Sequence, residues 1–265
     1  HRDLHSFPTR RSSDLIVLAI TVLGTTKVRI GVTPIPFVDI LEFIRPELEE
    51  AGIDLEIVVF SDYVLPNLAL SSGELDANFF QHIQYLKSFT AQRGIKGLVA
   101  SVNMLIAPMG FYMKKPYEEL KKGDKIALPN DPTNETRALL LLHNNGLITL
   151  KDPTKADMTI RDVQENPKGI VLVEMEAGFV PRVFKEDATV AGAVINTNYA
   201  LSIGLNSQKD ATFFEGKDSP YANYIVVREK DVDSNWLAVL AEIITRDEVR
   251  EFILEKFEGS IVPTF

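Results

Sequence analysis

The chain has no cysteine, which removes disulfides, thiolate metal sites and thiol nucleophiles at once. Histidine is scarce too. Of the four, His1 and His5 sit in an anomalous leader, leaving His82 and His143. A Ser-His-Asp triad has only those two to draw on, and neither has a serine in a recognisable setting. A metal site needs more imidazoles than remain, or a carboxylate cluster that the sequence does not display. No Walker loop, dinucleotide glycine fingerprint, His-Glu-x-x-His helix or nucleophile elbow is present. The expectation is a binding protein rather than an enzyme, with no cofactor. Positive charge is in deficit, the net charge being −9, whereas a nucleic-acid partner calls for a basic face.

Long apolar runs are also missing. Residues 1–15 do not read as protein: SFPTRRSSDL is what one reading frame of a common sequencing-library adapter encodes. They are set aside as a tag would be, and the twin arginines Arg10 and Arg11 are not read as an export signal. The run IVLAITVLG at 16–24 is too short to span a bilayer. Two readings of it stay open: the end of a signal-peptide core, making 16–26 a signal remnant, or a core β-strand. A lipoprotein signal would end in a cysteine, and that residue is absent.

What is there has ordinary globular character. With 265 residues, 45% hydrophobic and 25% charged, the chain can bury one large or two medium cores. Strands are expected at 27–33, 53–60 and 75–80. They alternate with helical spacing at Ile40, Leu41, Ile44 and Leu48, then over 63–70 and 83–93. Pro46 predicts a kink or break in the first helix. The apolar stretch 98–113, interrupted at 108–110, reads as two strands meeting at a domain crossover. The rhythm then restarts with strands at 126, 170–173 and 191–195 and helices from 133 and over 177–184. A returning strand at 224–227 and two helices, 235–244 and 248–257, follow. Such β-α alternation implies mostly parallel sheets flanked by helices, as two α/β lobes with a ligand cleft between them. The division expected is 27–107 plus 224–265 for the first lobe and 108–223 for the second.

The stretch KIALPNDPTNETRALLLLHNNG at 125–146 organises the rest. It reads as a strand, a turn and a helix in which Pro132 suits the first turn and Asp131 or Thr133 caps the free amides. The helix core is apolar all round and should be packed on several sides. Arg137 is out of place there, a permanent cation near the positive end of the helix dipole. Either it lies in solvent, or it helps the helix N-terminus hold a small anion. Aromatics and amides gather at other strand ends: Asn78, Phe79, Phe80, Gln81, His82 and Tyr85; Tyr63 opening a helix; Asn196, Asn198 and Asn223. In a strand Phe79 and Phe80 point to opposite faces, so one belongs to the core and the other reaches a ligand. His82 alone reads more often as a satisfied structural histidine, and isolated asparagines at strand ends are ordinary turn formers.

Several blocks carry a family resemblance: DYVLPNLAL (62–70), GELDANFFQH (73–82), PNDPTNETRALLLL (129–142), INTNYA (195–200), KDSPYANYIVVRE (217–229) and the ending IVPTF (261–265). Together they resemble the methionine-binding lipoproteins of the NlpA family, substrate-binding components of bacterial methionine ABC importers, in the same order from about residue 28 to the end. The resemblance implies a type II periplasmic-binding-protein fold whose two lobes close on the ligand by a hinge. It implies a monomer that hands L-methionine or a related small ligand to a permease and its ATPase. It places the protein outside the cytoplasm, lipid-anchored in its native precursor. Carried over by motif, Arg137 would pair with the ligand carboxylate, and Asn196 and Asn223 would hold its amino and carboxylate ends. Tyr63, Phe80, His82 and Tyr85 would wall the thioether, with Phe79 the weaker member. A related binder, of a methionine-containing dipeptide or another apolar amino acid, is the second expectation, and an enzyme on the same two-lobed scaffold the remote one. One departure from the family pattern is local: Thr33-Pro34-Ile35-Pro36-Phe37 stands where Thr-Pro-x-Pro-His is usual.

Overall fold

The computed structural model describes residues 24–216 and 218–265. The leader and residues 16–23 of the apolar run lie outside them. Strand β1 (Thr26–Val32) opens the fold and takes in Thr26, the last residue assigned above to a signal remnant. The chain continues as α1 (Phe37–Glu50), β2 (Ile53–Val59), α2 (Leu65–Ser72), β3 (Ala77–His82), α3 (Ile83–Arg93) and β4 (Leu98–Ile106). Then come β5 (Gly110–Met113), β6 (Lys125–Pro129), α4 (Pro132–Asn144), a small ribbon of β7 (Thr149–Leu150) and β8 (Val163–Glu165), and β9 (Val171–Met175). These lead to α5 (Val180–Glu186), β10 (Val190–Ile195), the short helices α6 (Thr197–Ser202) and α7 (Ser207–Asp210), and β11 (Phe213–Phe214). The last elements are β12 (Ala222–Arg228), α8 (Asn235–Ile244), α9 (Asp247–Lys256) and β13 (Val262–Pro263).

The larger sheet has the order β13-β4-β12-β3-β1-β2 and the smaller one β11-β5-β10-β6-β9. In the larger, β2, β1, β3 and β4 run one way and β12 and β13 the other. In the smaller, only β5 opposes its neighbours. The sheets are therefore mixed in pairing while parallel in most strand directions. Their central strands are apolar on both faces because helices cover both; every residue of β3 and of β10 is buried. Helix α1 buries Phe37, Ile40, Leu41, Ile44 and Leu48, the one-sided stripe its spacing predicts. It runs unbroken through Pro46. Pro46 and Glu42, whose carbonyl loses its partner there, both lie on the exposed face, where solvent serves instead.

Two passages connect the sheets. Residues 107–109 lead from β4 to β5, as the interruption at 108–110 predicts, and residues 215–221 lead from β11 back to β12. The passages hold each other: the Glu215 N–H donates to the Met109 carbonyl at 2.9 Å. Strand β12 begins at Ala222, so Asn223 belongs to the larger sheet and pairs with His82 of β3.

Candidate functional site

The residues around the passages are set by local capping. Asp131 caps α4 by accepting the Asn134 N–H at 3.0 Å, and Pro132 occupies the first turn. Arg137 comes one turn later, on a helix buried over nearly its whole circumference. The solvent reading of Arg137 is therefore excluded; it is 3% exposed. Tyr63 does not open α2. Asp62 Oδ1 accepts the N–H groups of Val64 and Leu65 at 2.7 and 2.8 Å, so Tyr63 lies in the turn before the helix and its ring points inward, 9% exposed.

These elements line a small cavity set between the two sheets, a common place for a ligand site. Arg137, Asn196, Asn223, Tyr63, Phe80, His82 and Tyr85 all line it. Phe79 does not. Its side chain turns to the opposite face of β3 and packs edge-on against Phe37, ring centres 4.7 Å apart, as strand alternation requires. One wall is aromatic, with Tyr63, Phe80 and Tyr85 in mutual contact at centroid distances of 5.7, 5.8 and 5.9 Å. Phe37, the departure from the family pattern, also borders the cavity.

Polar groups line the rest. His82 Nδ1 accepts the Tyr85 N–H at 3.1 Å, which caps α3 and leaves the proton of the neutral ring on Nε2. Burial, then the nearby Arg137 charge, hold the His82 pKa well below the ordinary histidine value, so the ring is neutral at pH 7. Its buried Nε2 has no partner among the described residues, and neither has Asn196 Oδ1. Asn196 Nδ2 donates to Asn134 Oδ1 at 2.8 Å, which orients that free carbonyl. An unpaired buried donor and an unpaired buried acceptor in one cavity wall are costly unless something fills them.

Arg137 is held from several sides. Its Nε and Nη2 donate to Glu215 at 3.0 and 2.6 Å, a two-pronged pair, while Nη1 reaches Asn134 Oδ1 at 3.2 Å and Nη2 the Ala107 carbonyl at 3.3 Å. The guanidinium lies over the Tyr221 ring, 4.3 Å from its centre. Burial works against the cation, but the Glu215 charge and hydrogen bonds outweigh it and the Arg137 pKa is raised. A guanidinium has five N–H donors, so one of those on Nη1 is left for a ligand. Sequence reasoning missed Glu215 and Tyr221, because each matters only through a tertiary contact, Glu215 lying 78 residues from Arg137 in the chain. Asn134 also escaped it, although the position one helical turn before Arg137 was a signal.

The two sheet units touch directly at the site. Tyr63 donates its hydroxyl to Asn198 Oδ1 at 2.6 Å, Asn198 Nδ2 reaches Thr33 Oγ1 at 3.3 Å, and the Tyr199 hydroxyl donates to the Ser61 carbonyl at 3.0 Å. Among the described residues no group of His, Asp and Glu side chains is arranged to hold a metal ion, and no helix is long and apolar enough to cross a membrane.

A protein-family model described as NlpA lipoprotein matches residues 28–265. The D-methionine-binding lipoprotein MetQ of Escherichia coli (strain K12) is 47% identical over 216 residues, which is 81% of this chain and 79% of that protein. A nutrient binding protein from Burkholderia cenocepacia, solved bound to methionine, superposes with a TM-score of 0.84 at 43% identity and covers 90% of this chain and 100% of its own. A crystal structure of the methionine binding protein MetQ gives 0.86 at 43% identity, covering 90% and 98%. The expected two-lobed type II fold of ABC substrate-binding proteins is thus the fold of this chain, each sheet with its helices forming a lobe. Matched over nearly all its described length, the chain belongs to the NlpA lipoprotein family.

Proposed function

We propose that this protein is an extracytoplasmic substrate-binding protein that captures methionine between its lobes and delivers it to an ABC importer. The observation that carries the reading is the pairing of two orphaned polar groups with an aromatic wall in one cavity. The Nε2–H of His82 and the spare Nη1–H of Arg137 suit a carboxylate, and the free Oδ1 of Asn196 suits an ammonium. Asn223, whose Nδ2 makes only a 3.4 Å contact with the Tyr221 carbonyl, adds a further donor. Tyr63, Phe80 and Tyr85 offer ring edges and faces to a soft thioether. The Arg137–Glu215 pair is neutral as a unit, matching a zwitterion that is neutral overall. The methionine bound by the Burkholderia relative supports the same ligand.

The relatives named as lipoproteins support attachment to the cell envelope through an N-terminal lipid, and in this reading the protein acts as a monomer beside its permease and ATPase. Isothermal titration of ligand-stripped protein with L- and D-methionine tests the reading. One-to-one saturable binding of either is expected; no heat and no thermal-shift response to either would remove methionine as the ligand. A second reading, a methionine-containing dipeptide, draws on a further cleft of about 270 Å³ that adjoins the cavity across Tyr63 and Tyr85. Competition with such dipeptides separates the two.

A further inference from the structure

Glu215 does not line the cavity, yet it controls the cation that does. Its two carboxylate oxygens take Arg137 Nε and Nη2 at 3.0 and 2.6 Å. Oε2 also accepts the Met109 N–H at 2.9 Å and stands 3.4 Å from the Ser219 hydroxyl. The carboxylate is thus fixed to both passages between the lobes, and through Arg137 to helix α4 of the smaller lobe. Its side chain is 12% exposed and that of Arg137 3%, so the attraction is weakly screened. No other counter-charge pairs with Arg137 among the described residues.

We infer that Glu215 is a positioning and specificity-determining residue: it cancels the Arg137 charge, so that the cavity accepts amino acids as zwitterions and disfavours ligands carrying net charge. The inference rests on the proposed methionine-binding reading. A lone buried guanidinium would attract any carboxylate, with or without an amine beside it. Paired with Glu215 it offers one N–H as a hydrogen-bond donor, and the carboxylate offsets much of its charge. A ligand that brings a carboxylate then also has to bring a cation, which is what Asn196 Oδ1 is free to receive. Glu215 also fixes the orientation of the guanidinium, because a two-pronged pair sets its plane as well as its place.

The test compares methionine with two analogues that keep the thioether: des-amino methionine, with a net charge of −1, and methionine methyl ester, with +1. Wild-type protein should bind methionine more tightly than both. Glu215→Gln should narrow the preference for methionine over the des-amino acid by about tenfold or more, the scale expected for one unit charge in a poorly screened site, and should worsen binding of the ester. Glu215→Asp keeps the charge at shorter reach. It should weaken every ligand while preserving the order of preference, in contrast to the altered order in Glu215→Gln, which a purely structural role does not foresee. An unchanged methionine-to-des-amino ratio in folded Glu215→Gln protein would overturn the inference. Should that variant fail to fold, a wild type that binds the des-amino acid as well as methionine, or a Glu215→Asp variant that loses the order, overturns it equally. A wild type that ignores methionine altogether sinks the underlying reading instead, so the two failures are distinct.

Discussion

The Tyr63 hydroxyl donates to Asn198 Oδ1 across 2.6 Å, joining residues 135 positions apart in the chain and belonging to different lobes. Both side chains are buried cavity walls, and burial raises the Tyr63 pKa well above the ordinary phenol value. The bond is therefore a neutral O–H donating to an amide. Tyr63→Phe removes the donor and leaves Asn198 Oδ1 unpaired, at a cost of about 1–3 kcal/mol. The expected result is roughly tenfold or greater loss of methionine affinity by titration calorimetry with a nearly unchanged far-UV spectrum.

Arg137 is structural as well as cavity-facing. Arg137→Met should abolish methionine binding and also destabilise the fold by about 3–5 kcal/mol, because it strands the Glu215 carboxylate without its partner. The double variant Arg137→Met/Glu215→Gln should recover most of that stability in denaturant titration while remaining unable to bind. Full stability in the single variant would contradict the ion pair.

Phe79 and Phe80 are adjacent in β3 but have separate tasks. Phe79→Ala empties a fully buried core site beside Phe37 and should cost about 3–5 kcal/mol, with ligand affinity preserved at temperatures where the protein stays folded. Phe80→Ala opens the cavity wall and should lower affinity more than any conservative change at Phe79. Equal losses of affinity at both positions would contradict the alternation.

Glu135 of α4 is 3% exposed and accepts the Ile160 N–H at 2.9 Å. Burial, then the neighbouring Glu174 carboxylate, raise its pKa above the ordinary value of 4.5. The folded state thus holds a proton that the unfolded chain releases, and stability falls as pH rises from 4.5 through the raised value. Glu135→Gln keeps the acceptor and abolishes the titration. Its thermal midpoint should match wild type near pH 4 and exceed it at and above the raised pKa, as differential scanning calorimetry across pH would register.

The sequence by itself determined the alternation of strands and helices, because period-two and period-3.6 apolar spacing is written locally. The stripe Ile40, Leu41, Ile44 and Leu48, the capping turn at Asp131 and Pro132, and the interruption at 108–110 are legible for that reason. It also marked most of the cavity wall, since motifs at strand ends lie on the ligand side of α/β folds. Boundaries shifted by a few residues, as with Tyr63, which the Asp62 turn holds just outside α2. Very short elements such as α6 and β11 were invisible, being too short to show a period. Tertiary structure alone decided which face of β3 met the cavity. It alone gave Arg137 a fixed counter-ion in Glu215 and an aromatic seat on Tyr221. Charge pairing depends on distance in space, and two residues 78 positions apart leave no local pattern from which that distance can be read.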